Sequence, residues 1–469
     1  MRFSAAMTAE KWLPGLIAAR LRPLLRRVDA IVFSTDARGE AGRMSLFAFA
    51  VRIVSAAIAF VSQVLLARWM GSFEYGIFVL VWVSMIIVGS LSCFGFHTSI
   101  IRFISEYREK AMLAELRGVL LASRLFVLIA STVIAALGAA GVWAFSGRIE
   151  SYYVVPFALG MICLPMLALS DVLQGLARAN SWAFSALVPT YITRPVLILV
   201  FMALAVGAGL APTAETAVLA AIVATYVTTV AQFVRVTTRA DQRIPAGPRN
   251  IRLGYWLKIS LPIFLVESFF FLLTNADVLM VGFYMDPDKV AVYFATVKTL
   301  ALVHFVYFAV KAGVAQRYAQ IAHGEPEKLS AFARETVSWT FWPSLVMGVL
   351  VLLLGEPLLG MFGPGFADGY PLLFLLVAAV VARSAVGPCE SLLTMSGYQN
   401  VCAMVYAATL ALNIGLNVIL IPAFGLWGAA IATSAAMIFE ATALSFTVWR
   451  KLGIVMVLFI PTKRTVENA

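Results

Sequence analysis

Long apolar runs interrupted by short polar turns set the pattern of this chain. From Met44 to Tyr107 two spans of about 22 apolar or small residues flank a tight polar hinge, Gln63-Val-Leu-Leu-Ala-Arg68-Trp-Met-Gly71-Ser-Phe-Glu74-Tyr75-Gly76. A helix rising 1.5 Å per residue crosses a hydrocarbon core of roughly 30 Å with about 20 residues, so the stretch reads as a transmembrane hairpin. Further spans are expected near 119–145, 153–177, 183–208 and 215–234, and then near 257–283, 290–315, 336–361, 370–394, 401–421 and 427–449. The pattern predicts an all-α polytopic membrane protein with twelve transmembrane helices in two six-helix bundles. Its expected parts are a basic N-terminal segment (1–43), a first bundle (44–235), a cytoplasmic linker with Pro245, Gly247 and Pro248 (236–256), a second bundle (257–450) and a tail (451–469). Within the N-terminal segment, Trp12, Leu13, Leu16, Ile17, Leu21, Leu24, Leu25 and Val28 recur at helical spacing among arginines, which suits an interfacial amphipathic helix. Pro14 and Pro23 interrupt that pattern, and a disordered tail suits it as well. The segment lacks the uninterrupted apolar stretch of a cleavable signal peptide.

The two bundles read as copies. Gln63-Val-Leu-Leu-Ala corresponds to Asp277-Val-Leu-Met-Val, Tyr75-Gly-Ile-Phe78 to Val290-Ala-Val-Tyr293, and Ala220-Ala-Ile-Val-Ala-Thr225 to Gly428-Ala-Ala-Ile-Ala-Thr433, at offsets of 214, 215 and 208 residues. Parallel six-helix repeats related by an axis along the membrane normal place a cavity between them.

Composition agrees: 62% of residues are hydrophobic and 13% charged, against about 45–50% and 25% in soluble domains. The formal charge of +11 raises the question of nucleic acid, and the distribution of the cations answers it. About 26 of the 35 lysines and arginines fall in segments that are cytoplasmic if both termini are inside, as the positive-inside tendency predicts. They serve topology and anionic membrane lipids, not nucleic acid. Cys93, Cys163, Cys389 and Cys402 lie in or beside apolar spans without paired spacing, and His97, His304 and His323 are scattered, so no disulfide framework, zinc site or other metal site is expected. No Walker-type glycine loop is present, and Asp286-Pro-Asp288 reads as a turn. A transporter without a cofactor, not an enzyme, is the expectation.

Charges inside spans carry the functional information, because each costs roughly 2.5–3.5 kcal/mol at mid-bilayer on insertion scales. Arg52, Arg194, Lys298, Lys311 and Arg383 are the candidate lining of a cationic cavity that attracts phosphate; Arg52 and Lys311 also fit snorkelling to the surface. Arg194-Pro195 fits either a wet, cavity-lining carbonyl or a simple kink. Glu267 and Asp277 are candidates for coupling to H+ or Na+, while Asp277 fits better as a structural cap or salt bridge near the outer interface. Asn275 beside it, and Asn413 and Asn417 one turn apart, are candidate polar contacts to cargo or to neighbouring helices.

The segment Gln63 to Gly76, with Gly95-Phe96, Arg102-Phe103 and Glu106-Tyr107, resembles the opening of Wzx-type polysaccharide flippases of the multidrug/oligosaccharidyl-lipid/polysaccharide (MOP) exporter superfamily. Asn275-Ala-Asp277-Val-Leu-Met-Val-Gly282, and Asn413 through Asn417 to Pro422-Ala-Phe-Gly425-Leu-Trp-Gly428-Ala-Ala, are similar to pieces of its second half. The resemblance spans residues 44 to about 450. It implies a V-shaped two-bundle transporter of a bacterial inner membrane that moves an undecaprenyl-diphosphate-linked oligosaccharide to the periplasmic leaflet by alternating access, in partnership with glycan polymerase or export machinery. Exopolysaccharide, capsule and O-antigen pathways use such a step. In that family the central cavity is cationic. The chain lacks the two extra helices of the peptidoglycan lipid flippases, and its N-terminal extension falls outside the family pattern. Two alternatives are a MATE-like drug or cation antiporter, expected to line its cavity with acids, and a membrane glycan polymerase or ligase, expected to carry a large outer loop. The outer loops here reach only roughly ten residues.

Overall fold

The computed structural model describes residues 37–324 and 326–458. The expected N-terminal interfacial helix falls outside the described residues, as does most of the tail. The helices are α1 (Ala37–Leu91), α2 (Phe96–Glu109), α3 (Leu113–Ala144), α4 (Ser151–Ala179), α5 (Ala183–Val188), α6 (Arg194–Gly207), α7 (Ala214–Asp241), α8 (Leu253–Tyr284), α9 (Pro287–Gly324), α10 (Pro326–Gly360), α11 (Tyr370–Ser384), α12 (Cys389–Met395), α13 (Gln399–Phe424) and α14 (Leu426–Leu452). A π-helical turn, Pro189–Thr193, joins α5 to α6 directly before Arg194. Among the described residues no strand occurs, as expected where hydrocarbon leaves the backbone only internal partners.

Among the described residues eleven segments are long and apolar enough to cross a membrane, and the first, Ile53–Glu109, runs for 57 residues. That segment makes two passes. In a straight helix Gln63 and Tyr75 stand about 18 Å apart, yet the Tyr75 hydroxyl donates to Gln63 Oε1 at 2.9 Å. The chain therefore reverses between them, at Gly71, whose φ of 77° lies in the left-handed region. A Cβ there meets nothing within 4 Å, so glycine is needed for its backbone freedom alone. The hinge thus converts eleven apolar segments into twelve passes.

Helices α1–α7 form one half and α8–α14 the other. The halves share a core at one end and separate at the other. At the hinge end one cluster contains Tyr75, Phe78 and Leu164 of the first half together with Tyr293, Phe294, Phe362 and Phe366 of the second. Toward the basic linker the cores divide: Phe96, Phe103, Leu173 and Trp182 pack in the first half, and Tyr318, Phe332, Tyr406 and Val448 in the second. Two halves joined at one end by a common core and carrying separate cores at the other make a V that opens toward the linker.

Polar contacts reinforce the joined end. Arg68 Nε donates to the Met361 carbonyl at 2.6 Å and its Nη2 to the Gly360 carbonyl at 3.4 Å, across the two halves. Ser72 bonds to the Asp288 carboxylate. Gly76 lies so close to the start of α9 that a Cβ falls 1.9 Å from the Pro287 carbonyl oxygen. Asp286-Pro-Asp288 is accordingly the turn that starts α9.

Helix α8, the first of the second half, also packs against the first half. Its first turns are held by the first half: Trp256, fully buried, donates to the Tyr107 hydroxyl at 2.8 Å, and Ser260 and Ser99 share a 2.6 Å hydrogen bond. The preceding linker is bound there too, by Arg117 donating to the carbonyls of Pro245 and Pro248 at 2.8 and 2.9 Å. Beyond Pro262 the helix crosses to the second half, where Phe270 meets Tyr406 with ring centroids 5.4 Å apart.

Candidate functional site: two adjoining cavities along helix α8

Two cavities flank α8 and share Phe270 as a wall. The first, about 210 Å³, lies inside the second half and gathers Asn275 and Asp277 of α8, Lys298 and His304 of α9, Arg383 of α11, Asn413 of α13, and Thr433 and Glu440 of α14. The second, about 330 Å³, lies between the halves, bounded by Ser90, Leu91 and His97 on one side and by Phe264, Glu267, Phe271, Glu390 and Tyr406 on the other.

In the inner cavity, Asp277 is 4% exposed and fully engaged. Its Oδ1 accepts the Val278 N–H at 2.9 Å and its Oδ2 the Tyr293 hydroxyl at 3.0 Å, while that hydroxyl lies 3.2 Å from Thr433 Oγ1. Arg383 donates to Glu440 Oε1 at 2.6 Å and stands 4.9 Å from the Tyr307 ring centroid. A pair this buried neutralises itself, which removes Arg383 from the free cations. Lys298 differs. Its side chain is exposed to the cavity, its Nζ sits 4.7 Å from the Phe294 ring centroid, and among the described residues it has no carboxylate within ion-pair distance. Asn275 donates to the Phe271 carbonyl at 2.9 Å. Asn417 donates back to Asn413, to its carbonyl at 2.8 Å and its amide oxygen at 3.1 Å, so its Nδ2 is spent along α13 while its Oδ1 stays buried without a partner.

In the cavity between the halves, Lys311 forms an ion pair with Glu390 and lies 5.4 Å from the Phe270 ring centroid. Glu267 Oε2 stands 2.9 Å from His97 Nε2. Of the five cations expected to converge, Lys298 and Arg383 share one cavity and Lys311 borders the other. Arg194 is elsewhere. It is 6% exposed inside the first half, donates to Ser170 Oγ at 2.8 Å, and lines neither cavity. The Arg52 side chain lies outside the described residues.

Sequence reasoning missed Glu390, Glu440 and Asp171, the carboxylates that accompany these cations. The duplication carried a signal for one of them. Glu440 follows Gln232 by 208 residues, the offset that relates Thr225 to Thr433. The two positions make corresponding contacts: Ser170 donates to Gln232 at 3.1 Å between α4 and α7, and Arg383 to Glu440 between α11 and α14. Likewise Gln63 and Asp277, matched at an offset of 214, each accept from a tyrosine hydroxyl, Tyr75 and Tyr293. The first half holds these positions with neutral amides and the second with ionisable groups.

Residues 42–315 match the profile of the family described as polysaccharide biosynthesis protein, and residues 262–419 match that of MatE. Among curated protein sequences none matches this chain. Solved structures with the same architecture include an inward-facing multidrug resistance MATE family transporter of the MOP superfamily (TM-score 0.68, 14% identity, 86% of this chain and 94% of that one). They also include the lipid II flippase MurJ in an inward closed conformation (TM-score 0.66, 14% identity, 86% and 87%) and a MOP superfamily transporter from Pyrococcus furiosus (TM-score 0.60, 15% identity, 91% and 96%). Identities this low speak for the fold alone. The polysaccharide biosynthesis profile, in contrast, aligns with more than half of the sequence, and the chain belongs to the polysaccharide biosynthesis protein family, with the fold of the MOP transporters.

Proposed function

We propose that this protein is a flippase that moves an undecaprenyl-diphosphate-linked oligosaccharide from the cytoplasmic to the periplasmic leaflet of a bacterial inner membrane, for exopolysaccharide, capsule or O-antigen assembly. The observation that carries the reading is Lys298, an unpaired ammonium facing a cavity in a chain of the polysaccharide biosynthesis family. A cation left without a carboxylate inside the membrane is stabilised by an anion it binds, and a diphosphate supplies one. The basic linker marks the cytoplasmic end, so the V opens toward the leaflet where such a lipid is made. Cargo enters beside α8, and rocking of the halves about their shared core exposes it on the other side. Glu267 and Asp277 are the candidates for coupling this cycle to H+ or Na+, and Asn275 and Asn413 are polar lining of the cavity that holds Asp277.

The test is a deletion strain complemented with Lys298→Ala. Export of surface glycan should fall at least tenfold while the lipid-linked intermediate accumulates and the protein remains inserted. Normal surface glycan rejects the phosphate contact. A second reading, a cation antiporter, is favoured by one observation: Asp277 and Glu440 balance Lys298 and Arg383 in the inner cavity, so its net charge is not strongly positive. Under that reading the deletion strain gains sensitivity to cationic drugs and keeps its glycan.

A further inference from the structure

His97 occupies a place that flippase chemistry, as described above, leaves unused. It is the second residue of α2, two places after Gly95, whose φ of 78° redirects the chain, and it lines the cavity between the halves. Its Nε2 faces Glu267 Oε2 of α8 at 2.9 Å; the two side chains are 21% and 36% exposed. Its Nδ1 is buried and has no hydrogen-bond partner. From the other side α4 closes in: a Cβ on Gly175 falls 2.0 Å from the His97 carbonyl oxygen, so these backbones touch. Asp171 stands one helical turn before Gly175 on the same face of α4 and within electrostatic reach of the imidazole. The imidazole thus faces the Glu267 carboxylate of the second half, with Asp171 of the first half close enough to act on its charge.

Of the other charges around it, Arg178 keeps its positive charge and acts against a second positive charge on the imidazole, while Glu390 is paired. Arg178 of α4 is bound by Gln174 one turn away. Glu390 of α12, across the cavity, is held by Lys311 of α9, and Tyr406 of α13 completes that wall.

We propose that His97, with Glu267 and Asp171, is a proton-binding site that latches α8 to the first half. The contact lies two turns beyond Ser260, on the stretch of α8 between the Ser99–Ser260 bond to the first half and the Phe270–Tyr406 contact with the second. With a proton on His97 the imidazolium and the Glu267 carboxylate attract, and α8 stays docked. Without it the attraction is lost, and the segment beyond Pro262 is released to follow the second half. Histidine is the side chain whose charge changes between about pH 5 and 8, so the latch answers to the proton gradient across a bacterial membrane. The proposal rests on the transporter reading only for what the proton drives.

The full-length protein in liposomes tests it without cargo. Spin labels at Leu125→Cys on α3 and Leu265→Cys on α8, both exposed positions, report the separation of α8 from the first half; the four native cysteines are buried and stay unlabelled. Raising the pH from 6 to 8 should increase the ratio of parted to docked populations about fivefold, the scale of a partly exposed ion pair. His97→Gln and, independently, Glu267→Gln should each hold the ratio at its alkaline value at every pH, and Asp171→Asn should move the midpoint while keeping the response. A pH response that survives His97→Gln overturns the proposal, as does one that survives Glu267→Gln; an unmoved midpoint removes Asp171 from the site. If the response is present but Lys298→Ala exports glycan normally, the cargo reading fails and the proton site stands.

Discussion

Replacing Arg68 with alanine should part the joined end of the V. Its guanidinium reaches across the halves to the carbonyls of Met361 at 2.6 Å and Gly360 at 3.4 Å, at the C-terminus of α10. Those carbonyls belong to the helix end that carries partial negative charge and lacks intrahelical partners, so the contact is a charge-assisted cap. Hydrogen bonds from charged groups contribute about 1.5–3 kcal/mol when shielded; Arg68 is exposed, and about 1 kcal/mol is the appropriate scale here. Because the bond exists only while the halves meet at this end, its loss acts on the equilibrium between closed and parted forms, multiplying the parted fraction about fivefold. Spin labels at Phe73→Cys and Glu356→Cys, exposed sites on opposite halves, give the distance distribution in liposomes. The long-distance population should grow by that factor in Arg68→Ala and by less in Arg68→Lys, which keeps a charge but not the fork. A change below twofold in Arg68→Ala would refute the idea that this cap holds the end shut.

Glycine substitutions near the hinge should separate two physical costs. Gly71→Ala meets empty space and suffers only the backbone penalty of a positive φ with extended ψ, about 1–3 kcal/mol, whereas Gly76→Ala drives a methyl into the Pro287 carbonyl and should lower thermal stability further; equal melting shifts would count against the close approach. In the second half, Arg383→Ala should destabilise by about 3–5 kcal/mol because it strands Glu440, while Arg383→Met with Glu440→Met should recover most of the loss, both read from thermal unfolding in detergent.

The apolar spans themselves determine that this chain is helical and crosses a membrane about twelve times, because hydrocarbon offers the backbone no other partner and roughly 20 residues complete each crossing. Gly71 within a polar turn signals the first reversal, and the matched segments at about 210 residues announce the duplication. Those inferences need only local composition and spacing. The candidate site was legible in part: Asp277, Lys298 and Asn413, chosen as isolated polar groups in apolar spans, do line one cavity. What the sequence leaves open is which polar groups are spent on one another. Arg383 and Glu440 are 57 residues apart, and Lys311 and Glu390 79 apart. A membrane helix is apolar toward lipid and toward protein alike, so it has little of the amphipathic periodicity that tells an inward face from an outward one in soluble proteins. Only the assembled helices settle that Arg194 turns into the first half toward Ser170, that Arg383 is neutralised, and that His97 meets Glu267, because each depends on rotations and crossings set by packing, not by order along the chain.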